Sequence, residues 1–170
     1  MTLEERIQRL EDIEAIRATW HDYMLSLDTL NWEALGDVFT EDATVEHVGF
    51  DAGDGVWQGR ESIIDDCFRV WETEIPRDET TEEWQRQWSG HHGSNLRIDL
   101  DGDEATTKAY FFEMTNLAVA GNYQHRMRRD EDRWRIAHLR IEPTFRLQFE
   151  VVSPRTRFLE HPGASTKDAI

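Results

Sequence analysis

The chain has 170 residues, with 19 Lys+Arg against 35 Asp+Glu and a formal net charge of −16. The length fits one domain able to own a core and a pocket. A hydrophobic content of 38%, an aromatic content of 11% and seven Trp exclude a disordered acidic chain. The charge repels phosphate backbones and anionic headgroups, so neither nucleic acid nor a membrane is an expected partner. The single cysteine, Cys67, excludes an intrachain disulfide. Acidic residues at Glu4, Glu5, Glu11, Asp12 and Glu14 do not suit a signal peptide, and no run approaches the roughly 20 apolar residues of a membrane span. A cytoplasmic protein is expected.

Residues 3–27 read as one amphipathic helix, with Leu3, Ile7, Leu10, Ile13, Ile16, Trp20, Met24 and Leu27 at spacings of three and four. Thr2 and Glu5 fit a capping box at its start. Trp32, Leu35 and Phe39 predict a short second helix over 30–38. Residues 43–48 alternate as a strand, and a turn at Gly53 and Gly55 leads to a short strand around Trp57. A third helix is predicted near 60–71, with Ile63, Cys67 and Val70 on one face.

Residues 72–89 break the pattern, with six acidic residues, a proline, and Trp84 and Trp88 four apart, and read as an inserted loop or helical turn, expected to act as a lid. The period then changes to two. Strands are predicted at 91–100, 104–118, 122–129 and 133–151, with turns at Asp101-Gly102, Ala120-Gly121 and Asp130–Asp132. The last 17 residues are turn-rich. Helices followed by antiparallel hairpins make one α+β domain over 1–170, with a curved sheet around a pocket.

No G-x-S-x-G elbow, P-loop, G-x-G-x-x-G or H-E-x-x-H is present. Cys67 falls on an apolar helix face and reads as core. His91-His92, in WSGHHGSNLRI, is the notable pair among seven histidines. Neighbouring strand side chains diverge, so at most one enters a pocket, and a two-ligand metal site is disfavoured. Asp28 closes the first helix, where it can serve as a cap for the next one. Tyr23, five residues earlier, reads by itself as a half-buried helix aromatic.

Three segments carry a resemblance: DIEAIRATWHDYMLSLDTLNWEALGDVFTEDATV, GHHGSNLRIDLDGDEAT and GNYQHRMRRDEDRWRIAHLRI. Over residues 3–147 the chain resembles the nuclear-transport-factor-2-like superfamily in its SnoaL-like branch. Within it, the dehydratase-type lyases are similar: scytalone dehydratase, hexachlorocyclohexane dehydrochlorinase and bile-acid 7α-dehydratase. The resemblance implies a cone, a curved mixed sheet closed by helices around a central pocket, assembled as a trimer. It implies an Asp–His pair at Asp28 and His91, with Tyr23 as a further working residue and Glu113 as an acidic neighbour. Arg140 is one residue out of step with a family Arg. The resemblance implies no cofactor.

Strand parity groups His92 with Leu96, Ile98 and Leu100, and His91 with Asn95, which leaves His92 as the alternative pocket histidine. Gly90 and Gly93 could host a bulge that changes the aim. Trp57, Tyr110 and Tyr123 are candidates for a pocket wall.

Elimination needs a base for a proton and a donor for the departing group. A neutral imidazole suits the first task near pH 7, and a carboxylate on its other nitrogen fixes the tautomer. A phenol can serve the second. The expected function is a cofactor-independent lyase acting on an apolar cyclic small molecule. A cyclase or isomerase, or a non-catalytic binding module, is the alternative.

Overall fold

The structure is a computed structural model, and it describes residues 1–50, 53–70, 90–114 and 117–148. The proposed lid at 72–89, with Trp84 and Trp88, lies outside the described residues, as do Phe149, Val151 and the C-terminal segment.

Helix α1 (Leu3–Thr29) starts at the expected capping box, in which Thr2 accepts from the Glu5 backbone and Glu5 accepts from the Thr2 backbone. It buries Ile16, Trp20, Tyr23 and Met24, but Leu3, Ile7 and Leu10 at its N-terminal end stay exposed. Buried Asp12 anchors this end. It accepts from Arg129 at 2.6 Å and from the Trp134 indole at 3.2 Å, tying α1 to the sheet. Among the described residues, no helix is long and apolar enough to cross a membrane.

Helix α2 (Trp32–Asp37) is followed at once by β1 (Phe39–His47). In the sequence, the spacing of Phe39 from Trp32 and Leu35 supports the helix over 30–38. Phe39 is instead the first residue of a strand that runs parallel to β6 (Arg133–Gln148) and is fully buried. Strand β2 (Gly55–Gln58) precedes a short helix, α3 (Arg60–Ser62), which continues as a π-helical turn over Ile63–Phe68. Ile63 and Cys67 are buried as expected, whereas Val70 lies beyond the helix and is exposed.

The remaining strands are β3 (Gly90–Asp101), β4 (Glu104–Met114) and β5 (Leu117–Asp130). The sheet order is β2-β1-β6-β5-β4-β3, antiparallel except for β1 with β6. Among the described residues the sheet is curved and unclosed, with β2 and β3 at its two ends, and the fold is the expected mixed α+β one.

The turn expected at Ala120-Gly121 is not one. Both residues lie inside β5, where the register with β6 shifts. A Cβ on Gly121 would collide with Glu142 O and Pro143 Cα. The glycine therefore serves a close backbone approach. The turns at Gly102 and Glu131 are as expected, both with positive φ.

One face of the sheet is covered by α1 and holds the core. Across it run Val45, Leu139, His125, Thr107 and Ile98 in one register row, and His47, Ile141, Tyr123 and Ala109 in the next.

Candidate active site

The end of α1 presents Asp28 to the start of β3. Leu30 turns left-handed (φ 54°) and stops the helix, and Asn31, not Asp28, caps α2 by accepting from the Ala34 backbone at 3.1 Å. The capping role is thus taken, and the Asp28 carboxylate is free for the sheet.

It meets His91 three ways. The His91 backbone N–H donates to both carboxylate oxygens, at 3.0 and 3.1 Å, and Nδ1 lies 2.7 Å from Oδ1. A carboxylate accepts only, so Nδ1 carries a hydrogen and the second nitrogen, Nε2, is the basic one. Glu113, directly opposite on β4, places Oε2 3.7 Å from Nε2. Burial pushes His91 toward its neutral form, but the Asp28 hydrogen bond and the charges of Glu113 and Asp28 outweigh it, and the pKa is raised.

The parity question is answered by a bulge, sited later than Gly90 or Gly93. Ser94 pairs with Tyr110 and Arg97 with Lys108, so β3 holds one extra residue between them. Asn95 sits there with φ 56°. The alternation flips across it, and His91 shares its face with Leu96, Ile98 and Leu100. His92 points the other way, exposed, with its ring 6.4 Å from Phe112.

The other expected site residues divide in two. Tyr23 and Tyr123 are both buried on the core face with ring centres 5.7 Å apart. Trp57 is half-buried on β2, its ring 4.9 Å from His47. Tyr110, Asn95 and Arg140 need correction as pocket residues. Tyr110 is 56% exposed, because it alternates with buried Ala109 and Phe111. Asn95 is exposed at the bulge. Arg140 alternates with Leu139 and Ile141, and on the opposite face it pairs with Glu46 and Glu142.

Burial in the interior leaves polar atoms without partners. Among the described residues, Trp20 Nε1, Tyr23 Oη and His125 Nε2 are buried and make no hydrogen bond. Each such atom costs about 1–3 kcal/mol unless a ligand or water meets it. His125 was missed by the sequence reading. The signal was available, since Tyr123, His125 and Met127 alternate and put an imidazole among core positions.

A profile of the SnoaL-like domain matches residues 8–140. The chain belongs to the SnoaL-like domain family. No curated protein matches it significantly. Solved structures do. LinA is 16% identical with a TM-score of 0.71, over 86% of this chain and 95% of that one. A scytalone dehydratase-like protein from Novosphingobium aromaticivorans is 19% identical with a TM-score of 0.65, over 85% and 91%. A protein of unknown function from Mycobacterium tuberculosis is 23% identical with a TM-score of 0.64, over 80% and 73%. At these identities the likenesses establish the fold. The SnoaL-like neighbours thus include proteins described as dehydratase or dehydrochlorinase and others with no described activity.

Proposed function

We propose that this SnoaL-like protein is a cofactor-independent lyase that eliminates a leaving group from an apolar cyclic small molecule. The supporting observation is the 2.7 Å contact from His91 Nδ1 to Asp28, which turns Nε2 toward Glu113 as a base. Nε2 takes the proton β to the leaving group, and the C–H electrons form the double bond as the leaving group departs. Asp28 holds the tautomer and stabilises the imidazolium formed. Tyr23, with its buried and unpartnered hydroxyl, donates to the departing oxygen or halide. Glu113 stabilises the positive charge that His91 acquires. A soluble cytoplasmic trimer is part of this reading.

The test is a substitution series on turnover of a cyclic β-hydroxy ketone or a chlorinated ring. His91→Gln and Asp28→Asn should each lower the rate by about 10³-fold or more with the fold retained. Tyr23→Phe should cost about 10–1000-fold, and Cys67→Ser little. Cys67 is buried, its thiol is pushed up to about 12 by burial, and it is no nucleophile. If His91→Gln keeps full rate, the base assignment fails. If no substrate turns over, the alternative of a binding module stands.

A further inference from the structure

Helix α1 carries apolar residues on two sides. Its sheet-facing side is marked by Arg9, which donates to Leu100 O, by Asp12, which accepts from Arg129 and Trp134, and by buried Ile16, Trp20 and Tyr23. Leu3, Ile7 and Leu10 lie on the other side. Leu3 and Asp12 are nine residues apart, about 2.5 turns of helix, so they point in opposite directions. The cause is the period. From Leu3 to Leu27 the apolar line takes seven steps over 24 residues, about 3.4 residues a step against 3.6 for a turn. It therefore winds about a third of a turn around the helix, and its first part is carried off the sheet. Leu3 is 69%, Ile7 47% and Leu10 66% exposed.

An exposed apolar stripe of this kind marks a contact, and its spacing describes the partner. Steps of four and then three are those of a coiled-coil seam, with Leu3 and Leu10 at d and Ile7 at a. Leucine at d with a β-branched residue at a favours two parallel strands. The flanks agree. Glu4 and Glu11 border the stripe on one side and Arg6 on the other. In a parallel pair Arg6 of one copy faces Glu11 of the other, and two-fold symmetry makes that contact twice. In an antiparallel pair the acidic flanks would meet and repel. Arg6 and Glu11 are both exposed, and neither has an ion-pair partner among the described residues. The seam stops at the next a position, Glu14, which is charged and held by Arg17 at 2.8 Å. The capping box at Thr2 and Glu5 keeps the first turn helical without a partner, so pairing costs little ordering.

We propose that residues 3–11 of α1 are a docking surface for the same segment of a second copy, packed parallel and in register about a two-fold axis. The surface is separate from the one that carries Phe145 and Leu147, and the proposal is independent of the lyase reading. Two turns of helix bury well under the roughly 800 Å² per partner of a stable interface. The contact is therefore weak and forms at hundreds of micromolar, where it doubles whatever the sheet face assembles at lower concentration.

Sedimentation equilibrium of the native protein at about 10 μM and about 1 mM should show the weight-average mass rising toward double. Ile7→Glu should abolish the rise. Arg6→Glu or Glu11→Arg alone should lower the association constant by about 5-fold, and the two together should restore it. All three residues are exposed, so the fold is kept, and circular dichroism of each variant verifies it. Leu10→Cys should form a disulfide-linked dimer on mild oxidation, because in-register pairing brings the two copies of residue 10 within reach. The native thiol, Cys67, is buried and does not compete. Ala15→Cys, exposed on another side of α1, should not link. A mass that stays constant over the concentration range, or no self-link of Leu10→Cys, overturns the proposal. The stripe then belongs to a different occupant, a foreign protein or residues 149–170 of this chain. A mixture in which Leu3→Cys links to Leu10→Cys, with neither linking to itself, shows an antiparallel pair and overturns it too. A charge exchange that fails to restore association removes the Arg6–Glu11 pairing and with it the parallel register.

Discussion

Trp20 occupies the space that a side chain on residue 93 would need. A Cβ on Gly93 would overlap the Trp20 indole and come within 3.0 Å of Met24 Sδ. Trp20 and Met24 are the turns of α1 that lead to Asp28, and Gly93 follows His91 by two residues. This close approach sets the separation across which Asp28 and His91 bond. Gly93→Ala should push α1 off β3, cost about 1–3 kcal/mol by overpacking, and lengthen the Asp28–His91 contact. Thermal melting and the His91 imidazole proton signal read both effects. A native melting temperature with an unaltered proton signal would show that the spacing is set elsewhere.

The pH dependence follows from the raised His91 pKa. A base works only when neutral, so the rate should climb with pH, with its midpoint above the value of about 6.5 for an isolated imidazole. Glu113→Gln removes one of the charges that raise it, and should move the midpoint down. For stability the sign is opposite. A group whose pKa is raised by folding contributes most below its unfolded value, and that contribution is lost as pH rises through the folded value. The stability contributed by His91 should therefore decline from about pH 6.5 upward. Denaturant titrations of the native protein and of His91→Gln, compared across pH, isolate it. A pH-independent difference would remove the ionic pairing as its source.

The bulge can be tested directly. Asn95 holds φ 56°, which Asn tolerates and a β-branched residue does not. Asn95→Gly should be near neutral, whereas Asn95→Val should cost about 1–3 kcal/mol. If the strand relieves that strain by losing the bulge, the face of His91 and that of Leu96 no longer agree, and turnover should fall with stability. Equal stability in both variants would mean that the left-handed residue does not pin the register.

Self-association is expected on the face of the sheet away from α1. Phe112, Ala120 and Phe145 form one register row across β4, β5 and β6. Phe145 and Leu147 are 51% and 53% exposed, an apolar seam that a second copy can cover. Light scattering at micromolar concentration should give about three times the 20.0 kDa chain mass. Phe145→Glu should shift it toward the monomer without unfolding it. A native protein that scatters as a monomer contradicts the trimer.

The sequence by itself determined the elements and their order. Apolar spacing in α1, the capping box at Thr2 and Glu5, and the turns at Gly102 and Glu131 are local, and local chemistry decides them. It also supplied the segments whose resemblance singled out Asp28, His91, Tyr23 and Glu113. What it misjudged depended on partners distant in the chain. Phe39 reads as helix by spacing and is strand because β6 lies beside it. Gly121 reads as a turn and is a glycine because Glu142 and Pro143 crowd it. The facing of His91 could not be read from a period of two, because one left-handed residue at Asn95 inverts the alternation. Asp28 could cap a helix or bind a histidine, and the choice fell to Asn31, which took the cap. His125 looked like any strand histidine. Only packing shows that one of its nitrogens is held by Thr107 while the other is buried without a partner, because hydrogen-bond satisfaction is a property of the assembled interior.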